Sequence, residues 1–302
     1  MKRWQAESSL FFITLIWGGT FSFTKLGLDY SPPALFIFLR FTVALAISLL
    51  FFGKYIKGLD KTTFMQGSIL GLFFGIGFLL QTYGLKYTSI TNSAFITGMS
   101  VPLTPFVYWI IERKSVTRWQ GAGVAASVFG LWLFSDPDIN KINPGDIFTL
   151  ASTLFWALYI SYMDIFTRDK HEFSTTARLV VLQLITVTPL AAGFYFAFEY
   201  TSSSLIVGNE LLAALAYNGI VASFLLTFIH TSVQKFTTPV KAALIFSLEP
   251  VIAAIIAYLI FGEIISARGA LGGAIILFGV IISQIGGIIE SFWKKRKKVN
   301  AV

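Results

Sequence analysis

An all-α integral membrane fold, ten transmembrane helices built as two inverted five-helix repeats around a central cavity, is what this sequence predicts. Three observations lead there: a composition suited to lipid, ten apolar stretches of bilayer length, and a repeat of motifs at a nearly constant offset. Of the 302 residues 55% are hydrophobic and 13% charged, with mean hydropathy +0.74. Soluble domains carry roughly 25% charged residues, so a water-exposed surface built from this chain would be covered in apolar patches.

Ten stretches meet the length a bilayer demands, about 20 apolar residues at 1.5 Å each across about 30 Å of hydrocarbon. In order they are 8–27, 33–52, 65–84, 91–111, 116–134, 147–166, 177–198, 211–230, 241–261 and 268–289. None shows the period-2 alternation of a membrane barrel. The first follows Lys2 and Arg3 like a secretory leader, but it has no obvious A-x-A site and nine more stretches follow, so it reads as a retained helix. The second holds Arg40. The third carries Gly67, Gly71 and Gly75 on one bare ridge, and the tenth carries Gly269 and Gly273; such spacing lets helices approach closely. The fourth contains Pro102 and Pro105, the sixth Trp156 and Tyr159, and the ninth Glu249 and Pro250.

Charge sets the orientation. If the N-terminus is cytoplasmic and the spans alternate, seventeen lysines and arginines fall inside, among them Lys54, Lys57, Arg113, Lys114, Arg168 and Lys170. Only Lys86, Lys141 and Arg268 fall outside. The positive-inside bias therefore places both termini in the cytoplasm of a multi-pass protein of the plasma (inner) membrane. The basic tail, Lys294 to Lys298 behind Trp293, reads as a contact for anionic lipid rather than for nucleic acid.

Tyr87-Thr88-Ser89 and the helix through Pro102 resemble Phe236-Thr237-Thr238 and the helix through Pro250. Pro102 to Pro250 and Gly121 to Gly269 are both 148 residues, so spans four and five align with nine and ten without a gap. The expected units are 1–140 and 145–290, five helices each, followed by the tail 291–302. Odd-numbered units must insert upside down to one another. Each mid-span proline frees a backbone carbonyl, which in hydrocarbon needs a neighbour or a wet cavity. Matched breaks in inverted halves point to the path of a small solute.

Further motifs carry a resemblance. They are Ile16-Trp17-Gly18-Gly19 with Lys25, Leu39-Arg40-Phe41, Trp156-Ala157-Leu158-Tyr159, Leu248-Glu249-Pro250-Val251, and Phe261-Gly262-Glu263, with Ile111-Glu112-Arg113 as a reduced copy lacking the glycine. In this order, over about 8–289, the chain resembles the drug/metabolite transporter superfamily, EamA type. The resemblance implies an exporter or exchanger of metabolites, often amino acids or related compounds, working by alternating access.

The expected cavity is formed by spans one, four, six and nine. Its candidate lining is Trp17, Arg40, Tyr83, Asn92, Thr97, Ser100, Pro102, Trp156, Tyr159, Ser247, Glu249 and Pro250. Glu249 cannot face lipid as a carboxylate at mid-span. Two readings stay open for it: a proton carrier in the cavity, or a structural partner of Arg40 or of a freed backbone amide. Arg40 is read as facing inward, able to hold an anionic group; Lys25 and Lys241, nearer span ends, are read as snorkelling. Coupling to a proton or a counter-solute fits this set. The chain has no cysteine and only His171 and His230, so no thiolate or His-rich metal site and no cofactor is expected. A phosphate-binding G-x-x-x-x-G-K-[ST] loop is also absent. The alternative is an intramembrane enzyme acting on a lipid or isoprenoid. Such an enzyme needs clustered acid–base or nucleophilic groups, of which Asp164 and His230 are the remaining candidates.

Overall fold

A computed structural model describes the chain except residues 115, 136–142, 171, 202–204, 265 and 300–302, with side chains also undescribed at 134–135 and 284–299. Lys141 and His171 thus lie outside the described residues, as do the side chains of the basic tail Lys294–Lys298.

Among the described residues every regular element is helical. Ten helical stretches run back and forth between two ends of the molecule: α1 Arg3–Leu28, α2 Pro33–Ile56, α3 Lys61–Tyr87, α4 Ile90–Glu112 and α5 Arg118–Ser135 in the first half. The second half has α6 Pro144–Thr167, α7 Phe173–Glu199, α8 Asn209–Phe236, α9 Pro239–Phe261 and α10 Ala267–Val299. Seven of these, α1 to α4 and α7 to α9, are long and apolar enough to cross a bilayer by length and composition. α6 carries Asp146 and Asp164, and α5 is only 18 residues long. Phe106, Leu259 and Phe278 stand exposed on the outside of the bundle, where lipid rather than water covers such side chains.

The short connections are capped by their own polar residues. Asp60 accepts from the Thr63 amide, and Ser89 from that of Asn92. Asn143 and Asp146 cap each other reciprocally, the arrangement that satisfies two orphan amides at once.

Helices α4 and α9 are both broken in mid-course. α4 consists of Ile90–Gly98 and Ser100–Glu112; α9 consists of Pro239–Phe246 and Glu249–Phe261. Their caps correspond closely: Ser89 and Thr238 open the first segments, and left-handed Arg113 and Gly262 close the second ones. At both ends the offset is 149 residues, not 148. The prolines are therefore one residue out of register: the alignment keeps its lack of a gap, and the expected offset of 148 is corrected to 149. In the structural register Ser100 corresponds to Glu249.

Glycines set the closest approaches. A Cβ on Gly71 would sit 2.7 Å from the Gln183 carbonyl of α7, and one on Gly123 would sit 2.7 Å from the Gly279 carbonyl of α10. The α3 ridge therefore packs on α7, as its spacing predicts.

Candidate functional site

The two helix breaks meet at a cavity with about 510 Å³ of empty space, open solvent included. Six helices line it: Trp17 and Thr20 from α1, Phe78 and Gln81 from α3, Trp156, Tyr159 and Ile160 from α6, and His230 from α8. Thr97 and Ser100 flank the break in α4, and Phe246 and Glu249 flank that in α9.

Ten of these residues form counterpart pairs from the two halves. Gln81 and His230, Thr97 and Phe246, and Ser100 and Glu249 are each 149 residues apart. Trp17 and Trp156, and Thr20 and Tyr159, are 139 apart. The cavity thus lies where equivalent positions of the halves face one another.

The wall is mostly aromatic. Ring centroids lie 4.8 Å apart for Phe78 and Trp156, 6.2 Å for Trp156 and Tyr159, and 5.8 Å for Tyr159 and His230. Trp17 continues the arc, 5.6 Å from His230 and 5.2 Å from Phe246.

Polar bonds fix several of these side chains. Gln81 Nε2 donates to Thr97 Oγ1 at 2.9 Å, which donates in turn to the Ser93 carbonyl. Tyr159 OH donates to Gln183 Oε1 at 2.8 Å, and His230 Nε2 meets Gln234 Oε1 at 3.0 Å. Trp17 Nε1 donates to the Ala222 carbonyl, which lies in the π-helical turn Ala216–Leu225 of α8; π segments re-aim groups in this way. His230 Nδ1 and Trp156 Nε1 are buried without a partner. Glu249, the first residue of the second α9 segment, forms no hydrogen bond or ion pair among the described residues.

Of the expected lining, Trp17, Thr97, Ser100, Trp156, Tyr159 and Glu249 are brought together here. The other six lie elsewhere. Arg40 is 1% exposed, donates from Nε to Ser223 Oγ at 2.6 Å, and stacks its guanidinium 4.2 Å over the Phe78 ring. It forms no ion pair with Glu249. Tyr83 donates to Glu199 Oε1 at 2.5 Å, near the distal tip of the bundle. Asn92 is exposed beside the Ser89 cap. Ser247 turns back onto the Leu244 carbonyl, and Pro102 and Pro250 shape the breaks without lining the space. Sequence reasoning missed Thr20, Phe78, Gln81, Ile160, His230 and Phe246. The offsets, applied to the residues already found, generate Thr20 from Tyr159 and Phe246 from Thr97; Gln81 and His230 are counterparts of each other, so neither follows from the found set.

Two lysines read as snorkelling are turned inward. Lys25 Nζ donates to the Leu85 and Thr88 carbonyls, and Lys241, 5% exposed, pairs with Glu7 at 2.9 Å. Asp164 is held by Arg168 and Tyr108, away from the cavity. No group of three or more metal-ligating side chains occurs among the described residues.

The chain is 30% identical to an uncharacterized transporter of Archaeoglobus fulgidus, over 94% of this chain and 87% of that protein. It is 25% identical to the uncharacterized transporter YyaM of Bacillus subtilis, over 96% of both. A probable amino-acid metabolite efflux pump of Salmonella typhimurium is 23% identical, over 91% of this chain and 93% of that one. A protein of known crystal structure superposes with a TM-score of 0.74 at 18% identity, covering 93% of this chain and 96% of the other, a likeness of fold. The model of the EamA-like transporter family matches twice, over residues 5–136 and 143–284. With both matches together spanning nearly the whole chain, this multi-pass helical protein belongs to the EamA-like transporter family, within the drug/metabolite transporter superfamily.

Proposed function

We propose that the chain is a secondary transporter that exports or exchanges small organic metabolites, amino acids or related amphipathic solutes, by alternating access to the central cavity. In this reading all ten helices cross the plasma membrane, both termini are cytoplasmic, and 1–140 and 145–290 are the inverted halves. The basic tail meets anionic lipid, and a proton or counter-solute drives the cycle. One observation carries it: the cavity is walled by counterpart residues of both halves at the two helix breaks. A rocking of one half against the other would open such a cavity to each side in turn. The printed name of the Salmonella relative supports the solute class.

The enzyme alternative has Glu249 and His230 in the same cavity but lacks the carboxylate or nucleophile cluster such chemistry needs. Family membership favours transport.

The chain has no cysteine, so single-cysteine variants report access cleanly. Ser100→Cys in oriented vesicles is expected to react with a membrane-impermeant maleimide from either side, and solute recovered after transport is expected unaltered. Labelling confined to one side under every solute and ion gradient would overturn alternating access.

A further inference from the structure

We infer that the cavity takes an organic cation, a protonated or quaternary amine carrying an apolar or aromatic body, in preference to a zwitterionic or anionic solute. The inference rests on the cavity being the solute site and narrows the proposed solute class to its amine members, setting the zwitterionic amino acids themselves aside. No lysine or arginine lines the cavity. Its one acidic side chain is Glu249, which lines it without an ion pair or hydrogen bond among the described residues. Its structural counterpart is the uncharged Ser100. The nearby cation, Arg40, is not part of the lining; its Nε donates to Ser223 and its guanidinium lies over the Phe78 ring.

A carboxylate at that depth needs a partner, and a bound ammonium group supplies one. The complex is then neutral. A zwitterion would bring a second carboxylate into a cavity with no cation to meet it, and an anion would bring only that carboxylate. Uncompensated charge in such surroundings is costly.

The rings act in the same direction. Trp17, Trp156, Tyr159 and Phe246 all line the cavity, and aromatic faces attract cations, tryptophan best of all. Arg40 already occupies one face of Phe78 at 4.2 Å, so the surrounding four carry this effect for the solute. An arylalkylammonium ion fits both features: its head at Glu249, its ring against the aromatic arc.

Calorimetry on the full-length protein in nanodiscs tests this with three probes of one skeleton: 2-phenylethylammonium, phenylalanine and 3-phenylpropanoate. The expected ranking has the cation bound at least about tenfold tighter than the other two. Glu249→Gln is expected to weaken the cation by about tenfold or more and to level the ranking; Trp156→Ala is expected to weaken the cation more than the anion. If Glu249→Gln does not fold, the wild-type ranking and the charge-preserving Glu249→Asp, expected to retain it, decide. The inference falls if phenylalanine or phenylpropanoate binds as tightly as the cation, if none of the three binds, or if Glu249→Gln folds and leaves the ranking intact. Any of these outcomes beside two-sided labelling of Ser100→Cys removes the cation preference and leaves transport standing. One-sided labelling removes the transport reading whatever the probes do.

Discussion

The two ends of the molecule are fastened by the same device, at unequal strength. At the end that holds the N-terminus, Thr237 Oγ1 donates to Glu7 Oε1 at 3.4 Å. At the opposite, distal end, Thr88 Oγ1 donates to Asp146 Oδ1 at 2.8 Å. The threonines are 149 residues apart and the carboxylates 139, the same offsets that pair the cavity lining. Each bond ties the first helix of one half to the elbow between the third and fourth helices of the other. The terminal end then adds Lys241, whose ammonium reaches Glu7 at 2.9 Å; the position 149 residues earlier is Asn92, exposed and uncharged. Asp146 relies instead on its reciprocal cap with Asn143. The two ties are equivalent in position, and only the terminal one carries an ion pair among the described residues. Uneven ties of this kind would bias which end opens more readily.

The heaviest blow to the pairing of the halves lies at their remaining seam, where α5 meets α10. A Cβ on Gly123 would stand 2.7 Å from the Gly279 carbonyl, and one on Gly279 would stand 2.8 Å from that of Gly123. Gly121, on the same helix, has nothing within 4 Å of such a Cβ. Gly123→Leu is expected to cost about 1–3 kcal/mol or more through overpacking, read as a lower thermal transition of the detergent-solubilised protein. Gly121→Leu is expected to stay near wild type. Equal effects would mean the helices part at no cost, and that the seam does not hold the halves together.

The unequal ends are measured next by double-mutant cycles. Lys241→Met with Glu7→Gln is expected to show a coupling of roughly 1–3 kcal/mol, since Lys241 is 5% exposed and pairs with Glu7 at 2.9 Å. Thr88→Val with Asp146→Asn removes one part-buried hydrogen bond to a carboxylate, and about 1.5 kcal/mol is expected, the low end for bonds to charged groups. Asn92→Lys transplants the missing cation to an exposed site and is expected to add well under about 1 kcal/mol. A distal coupling as large as the terminal one would erase the asymmetry.

How far the sequence carried this picture can be read at individual residues. The helices were legible because lipid demands long apolar runs, and the starts of α2 and α7 fall within a few residues of the expected spans. The register between the halves differs by one from the spacing of the prolines because prolines are poor landmarks. A proline can shift along a break without moving the break, whereas caps such as Ser89 and Thr238 must sit at the helix end. Arg40 was placed in the cavity because its own span is greasy; Ser223, its acceptor, is 183 residues away in sequence, and no local pattern announces it. His230 was read as terminal because the apolar run stops there. The helix in fact continues to Phe236, which draws the imidazole inward to the cavity.

The smallest expected effect separates the third helices of the halves, and it is read by pH. The α3 start is capped by Asp60, whereas α8, its counterpart, starts behind Gly208 with no side-chain cap. The Thr63 amide donates to Asp60 Oδ1 at 2.8 Å, and this bond holds the carboxyl below its ordinary range. A folded pKa below the unfolded one means the cap's pH-dependent stabilisation is complete above the ordinary aspartate value of about 3.9. It is then lost as pH falls through the lower folded value. Asparagine caps as well as aspartate but does not titrate. Asp60→Asn is therefore expected to match wild type near neutral pH and to show a shallower loss of thermal stability from pH 5 to 3, by a small margin set by the solvent exposure of the cap. Parallel curves for the two proteins would show that Asp60 titrates in the folded chain as it does in the unfolded one, and that the two helix starts differ only in name.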